Sequence, residues 1–90
     1  AKIVEFEINK KLDGGKNYRI QFMTSNKKYK DKDEKYNGLT NVLRVKEGSL
    51  QKYYYGSDKT METAQKTLKE VQDKGFRNAF IVTFNGEVPM

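Results

Sequence analysis

The residue types that most often carry enzyme catalysis are missing from this 90-residue chain. It contains neither His nor Cys, so it lacks the commonest general base, the commonest metal ligand and any thiolate nucleophile. Its serines, Ser25, Ser49 and Ser57, have only lysines and carboxylates as candidate partners, whereas a serine nucleophile needs an adjacent base. We therefore expect a domain that is not an enzyme and holds no cofactor.

The carboxylates in the middle of the chain do not form a convincing metal site. Asp31, Asp33 and Glu34 stand among lysines. The Asp-x-Asp spacing is similar to the start of a calcium loop, but the glycine and the terminal glutamate of that loop are missing at the required offsets. We interpret this segment as solvated and charge-balanced, and we predict no metal site.

The remaining chemistry is binding by basic and polar side chains. Lys and Arg number 18 against 12 Asp and Glu, which gives a net charge of +6. A basic surface favours an anionic partner. Such side chains recur at alternate positions of strand-like segments, which places them on one face of a sheet. The predicted binding residues are Arg19, Gln21, Met23, Ser25, Arg44, Lys46, Lys52 and Tyr54.

Hydrophobic periodicity predicts the elements that would position these side chains. Alternation of apolar and polar residues predicts four strands, over residues 17–25, 42–47, 50–56 and 79–84. Apolar residues at helical spacing predict a helix over 61–74, with Thr60 or Asp58 as its N-cap and Gly75 as its stop.

Alternation also predicts which side chains share a face. Tyr18, Ile20 and Phe22 should point to the core, and Arg19, Gln21 and Met23 to the opposite face. We assign Leu43, Val45, Tyr53 and Tyr55 to the core side by the same rule, which leaves Arg44, Lys46, Lys52 and Tyr54 on the open face. The alternative is an ordinary solvated sheet face without a ligand.

The order of elements predicts an α+β domain with a ferredoxin-like βαββαβ fold, in which both helices cover one face of an antiparallel sheet. Its first helix would be short and irregular, within the charged segment 26–37. We expect residues 17–90 to form the domain and residues 1–16 to be a linker or an extra N-terminal strand, with a strand pattern at 3–8.

Four segments, in this order, are similar to those of SPOR domains, a family of peptidoglycan-binding modules. The first is Tyr18-Arg19-Ile20-Gln21-Phe22-Met23-Thr24-Ser25, and the second is Lys52-Tyr53-Tyr54-Tyr55-Gly56-Ser57-Asp58. A helix with Ala64 and Leu68 that ends at Gly75 follows, and then the closing strand Ala79-Phe80-Ile81-Val82. The resemblance covers residues 17–84 and is strongest to the C-terminal modules of Bacteroidetes-type N-acetylmuramoyl-L-alanine amidases. Met23, Thr24 and the charged segment 26–37 depart from the family pattern.

The resemblance implies a periplasmic module that binds peptidoglycan glycan strands without stem peptides, often at the division septum, and so targets a cell-wall protein there. Loss of the stem peptide exposes a lactyl carboxylate on each muramic acid. Arg19, Arg44, Lys46 and Lys52 are suited to carboxylates, Gln21 to N-acetyl groups, and Tyr54 to stacking on a sugar ring. We expect the module to be a monomer.

Two other binding functions stay open. An RNA-binding domain of similar topology would read bases with stacked aromatic side chains, but Lys52-Tyr53-Tyr54-Tyr55 lacks the glycine and spacing of that motif. We therefore do not expect a nucleic-acid partner. A protein-interaction module would use the sheet face or an edge strand. No apolar run is long enough to span a membrane.

Overall fold

Six strands form one sheet, and a single α-helix lies against it in the described part of the chain. The computed structural model describes residues 2–5, 15–30 and 32–90. The elements are β1 (Lys2–Glu5), β2 (Lys16–Ser25), β3 (Leu43–Glu47), β4 (Leu50–Asp58), α1 (Met61–Asp73), β5 (Phe80–Asn85) and β6 (Val88–Pro89). Their order across the sheet is β1-β3-β4-β2-β5-β6. The β1–β3 pair is parallel and the other pairs are antiparallel.

The individual elements that periodicity predicted are confirmed. The four predicted strands correspond to β2, β3, β4 and β5, and the predicted helix to α1, with ends that differ by one or two residues. The backbone N–H of Thr63 donates to the Thr60 hydroxyl at 3.2 Å, so Thr60 is the N-cap of α1. Gly75 follows the helix with a φ of 109°, a conformation that glycine adopts readily.

The predicted ferredoxin-like βαββαβ fold is wrong. The protein is mostly an antiparallel sheet with one α-helix, because the described chain between β2 and β3 contains only a 3₁₀ turn, Glu34–Tyr36. The Tyr53 hydroxyl accepts a hydrogen bond from the Tyr29 N–H at 3.0 Å and donates to the Lys27 carbonyl at 2.9 Å. These bonds hold the segment against β4 as an irregular loop. Lys32 and Asn37 also have positive φ, which interrupts a right-handed helix.

The two outermost strands, β1 and β6, extend the sheet beyond the four predicted strands β2 to β5. An extra N-terminal strand was one of the two alternatives predicted for residues 1–16, whereas β6 was not predicted. β1 pairs with β3 in the register Lys2 with Leu43 and Glu5 with Lys46. Of the strand predicted at residues 3–8, the first three residues belong to β1, and residues 6–8 lie outside the described residues. The short β6 pairs with the end of β5 and contains Pro89, which fits the preference of proline for edge strands.

The main core lies between the sheet and α1. From the sheet it contains Ile20, Phe22 and Tyr53, and from α1 it contains Val71, with Leu68 packed against it. Tyr36 packs edge-on against Phe22, with ring centroids 6.0 Å apart. We call the sheet surface that faces this core the inner face. Its aromatic packing supplies much of the volume that a short chain must bury.

A second apolar cluster lies on the opposite surface of the sheet, which we call the outer face. It consists of Leu43, Val45, Tyr54 and Phe84, with Val82 against it. The sheet is therefore apolar on both faces, whereas the sequence had suggested one apolar and one polar face. None of the helices in the described residues has the length and apolar character to cross a membrane.

Candidate functional site

Strand register decides which predicted binding residues share a face, because paired residues of neighbouring strands project to the same side. Gln21 pairs with Tyr54 of β4 and with Phe80 of β5. Arg19 pairs with Val82. These pairs belong to the outer face, and Lys52 joins them through its pair with Val45. Of the predicted set, Arg19, Gln21, Lys52 and Tyr54 are therefore brought together.

Four predicted residues, Met23 among them, lie on the inner face. Arg44 pairs with the core residue Tyr53, and Lys46 and Ser25 both pair with Gln51. The prediction that Arg44 and Lys46 share a face with Arg19 is therefore wrong. It failed because the apolar side chains of β3 were assigned to the side of the helix, whereas they build the outer cluster.

Arg44 is a structural residue. The residue is only 5% exposed, and its side-chain Nη1 donates to the Tyr29 carbonyl at 3.1 Å. This bond helps to hold the loop after β2 against the sheet. The Arg44 Nε is buried and has no hydrogen-bond partner. A side chain buried in this way is not accessible to a glycan.

Tyr54 does not serve as an exposed stacking surface. It is 2% exposed, and its ring packs edge-on against Phe84, with centroids 4.7 Å apart. Burial, together with the nearby charge of Glu47, raises the pKa of the Tyr54 hydroxyl to about 12. The sequence had predicted that Tyr54 stacks on a sugar ring, and its burial makes that prediction wrong.

Local contacts involve three of the predicted residues, Lys52, Ser25 and Met23. The Lys52 ammonium forms an ion pair with the Glu47 carboxylate at 2.9 Å, so its charge is balanced within the hairpin. The Ser25 hydroxyl accepts a hydrogen bond from the Lys27 N–H at 3.0 Å and shapes the end of β2. A β-bulge between Gln21 and Met23 shifts the pairing, so that Met23 opposes Tyr53 and packs against the inner core.

A groove with an exposed aromatic side chain opens where β5 begins, and we call it the Phe80 groove. It has a volume of about 190 Å³ and is lined by Gln21, Phe22, Met23, Thr24, Asn78 and Phe80. Phe80 is 50% exposed, which is unusual for a large aromatic residue. Side-chain amides of Gln21 and Asn78 lie beside it, and each provides both donors and an acceptor. Thr24 adds a hydroxyl group to the lining of the groove.

A second polar arrangement surrounds Arg19 near the other end of β2. The Arg19 Nε donates to the Asn17 Oδ1 at 3.0 Å, and its Nη2 donates to the Gly86 carbonyl at 3.2 Å. The guanidinium also lies over the Phe84 ring, 5.1 Å from the centroid. Burial lowers the pKa of Arg19, and the charge of Glu87 acts in the opposite direction. Arg19 is thus held in one orientation and is poorly solvated.

Asn17 positions this arrangement, and the sequence interpretation missed it. Asn17 is buried, and its side-chain amide donates to the carbonyls of Gly86 at 2.9 Å and Gly15 at 3.2 Å. Its Oδ1 accepts from Arg19 and from the Ser57 hydroxyl. The sequence did contain a signal: alternation places the polar Asn17 on the same face of the strand as Arg19.

Phe80 and Asn78 were also missed as site residues. The segment 79–84 has five apolar residues among six, so alternation alone does not show which of them are buried. The pairing of Gln21 with Phe80 settles this question, and a single sequence does not contain that pairing.

The described residues contain no group of three or more acidic side chains that is suited to a metal ion. Asp31, which was considered as part of a calcium-like pattern, lies outside the described residues.

Comparison of the chain with protein-family models, with curated proteins and with solved structures finds no match.

Proposed function

We propose that this chain is a non-catalytic module that binds peptidoglycan glycan strands without stem peptides. The observation that carries the proposal is Phe80, an exposed aromatic ring between two side-chain amides in a shallow groove. Sugar rings offer apolar C–H faces to an aromatic ring, and their N-acetyl and hydroxyl groups exchange hydrogen bonds with amides. The Phe80 groove therefore combines the two kinds of contact that an N-acetylated sugar needs.

The surface charge supports an anionic glycan. The chain carries a net charge of +6, which attracts a polyanion over several ångströms and speeds its encounter. A glycan strand that has lost its stem peptides presents a carboxylate on every second sugar. The resemblance to SPOR domains supplies this choice of glycan, whereas the groove supplies the contacts.

In line with the resemblance to SPOR domains, we propose that the module acts in the bacterial periplasm as the targeting part of a cell-wall protein such as an amidase. The absence of His and Cys from the sequence supports binding without catalysis. In this role the module concentrates its parent protein at sites where stem peptides have been removed.

A sedimentation assay with purified sacculi tests the proposal. Intact sacculi and amidase-treated sacculi are incubated with the protein, and the bound fraction is measured. We expect the bound fraction to rise severalfold after stem-peptide removal. No rise would refute the proposal, and strong retention on single-stranded RNA at physiological salt would instead favour the RNA-binding alternative.

The variant Phe80→Ala tests whether the glycan binds at the Phe80 groove. It should lose most of the additional binding to amidase-treated sacculi. Met61→Ala is the matched control, because Met61 is a similarly exposed apolar residue on α1. Equal binding by the two variants would show that the glycan is bound elsewhere.

A further inference from the structure

A pocket beside Arg19 has the composition of a carboxylate site. It has a volume of about 320 Å³ and is lined by Arg19, Thr40, Asn41, Tyr55, Gly56 and Ser57. Its lining residues thus include a guanidinium, three hydroxyl side chains and a side-chain amide. The Ser57 hydroxyl already donates to Asn17 and the Tyr55 hydroxyl to Glu70. The donors that remain for the two oxygens of a carboxylate are those of Arg19, Thr40 and Asn41.

A β-bulge shapes the pocket. Tyr18 pairs with Asp58 and Ile20 pairs with Tyr55, so that Gly56 and Ser57 together oppose the single residue Arg19. Gly56 has a φ of 82°, which an L side chain rarely adopts. A bulge takes one residue out of the strand ladder and redirects neighbouring side chains. The sheet therefore opens locally next to the guanidinium.

The state of Arg19 favours an incoming anion. Its described hydrogen bonds use Nε and one donor of Nη2, and Nη1 takes no part in them. Burial destabilises the charged form of Arg19, and the nearby Glu87 stabilises that form to a smaller extent. The net effect is a lowered pKa of Arg19. A carboxylate in the pocket would supply the compensating charge. The buried Asn17 already fixes the direction of the guanidinium, which reduces the entropy lost on binding.

The pocket lies within reach of a ligand in the Phe80 groove. Arg19 and Gln21 are two residues apart in β2, a separation of about 7 Å along the strand. We propose that the Arg19 pocket binds the lactyl carboxylate of a muramic acid residue while a sugar ring rests on Phe80. This inference rests on the proposed function and names the group that gives it selectivity for stripped glycans.

The test compares N-acetylmuramic acid with its methyl ester, which has nearly the same shape but no charge. Binding is followed by NMR titration of the full chain, with the Arg19 Nε–H as one reporter. We expect the acid to bind about tenfold more tightly than the ester, which is the value of one charge-assisted hydrogen bond.

Asn41→Asp is the diagnostic variant, because it adds a negative charge at the pocket with hardly any change in shape. Asn41 is exposed and has a φ of 54°, which Asp also tolerates. We expect this variant to lose the preference for the acid. Gln65→Glu makes the same charge change on the exposed surface of α1 and should keep the preference.

Equal binding of acid and ester by the unmodified protein would overturn the inference, and so would a preference that survives Asn41→Asp. In either case, continued binding of stripped glycan strands would leave the proposed function standing. Failure of the protein to bind the acid, the ester and the stripped strands would refute both.

Discussion

Replacement of Phe80 by alanine should separate binding from stability. Full burial of a phenylalanine side chain contributes roughly 1.5–3 kcal/mol, and Phe80 is half exposed. The loss of folding stability in Phe80→Ala should therefore be about 1 kcal/mol. An aromatic side chain at the centre of a binding site contributes about 2 kcal/mol or more to affinity. The expected weakening of glycan binding is therefore roughly 30-fold.

Two measurements on the same variants check this expectation. Isothermal titration with stripped glycan fragments gives the affinity, and urea denaturation gives the free energy of unfolding. Met61→Ala should leave the affinity unchanged, because Met61 lies on α1, and should lose a similar amount of stability, about 1 kcal/mol, because Met61 is 44% exposed. Phe84→Ala should lose roughly 3–5 kcal/mol of stability, because Phe84 is fully buried in the outer cluster.

A Phe80→Ala variant that binds glycan as well as the unmodified protein would show that Phe80 does not contact the ligand. A stability loss as large as that of Phe84→Ala would also contradict the expectation, because the exposure of Phe80 would then have been misjudged.

Three further predictions concern residues with structural roles. Arg44→Met should keep its glycan affinity within about twofold and should unfold at a similar or higher urea concentration, because a buried and incompletely paired charge is replaced by an apolar side chain; a tenfold loss of affinity would mean that Arg44 contacts the ligand. The raised pKa of Tyr54 predicts that its contribution to stability is fully present below a pH of about 10 and is lost as the pH rises towards 12, since the unfolded chain ionises first. Urea denaturation at increasing pH should show a smaller fall in Tyr54→Phe than in the unmodified protein. Thr60→Ala should lower the free energy of unfolding by about 1 kcal/mol through loss of the N-cap of α1, and an unchanged thermal midpoint would show that the cap is dispensable.

Local periodicity was sufficient to predict most of the elements. The alternation around Ile20 and Phe22 identified β2, and the spacing of Ala64 and Val71 identified α1, because both patterns reflect burial on one side of a regular element. Periodicity could not show that the predicted first helix is absent from the described residues. The side chains that hold segment 26–37 in place are Tyr29 and Tyr36, and their partners are distant residues such as Tyr53.

The binding site was harder to predict because it depends on register. Arg19 and Gln21 were placed together correctly by alternation within a single strand. Arg44 was misplaced because both faces of the sheet carry apolar side chains, so the apolar residues of β3 did not reveal the side of the helix. Phe80 emerged only when its pairing with Gln21 was known.

The structure also changes what is expected of Arg19→Ala. For a residue on an open sheet face, the replacement would weaken glycan binding with little loss of stability. Arg19 in fact donates to Asn17 and to the Gly86 carbonyl, and it covers the ring of Phe84. Its removal should therefore lower stability as well, and Asn41→Asp is the cleaner variant for the carboxylate site.

A residue-resolved map of the contact surface shows directly whether the glycan binds at the Phe80 groove. Backbone and side-chain amide NMR signals are recorded while stripped glycan fragments are added to the full chain. We expect the largest shifts at Gln21, Asn78 and Phe80, with further shifts at Arg19 and Asn41. Shifts confined to the exposed surface of α1 or to the lysine-rich loop after β2, with none at Gln21 or Phe80, would contradict binding at this groove.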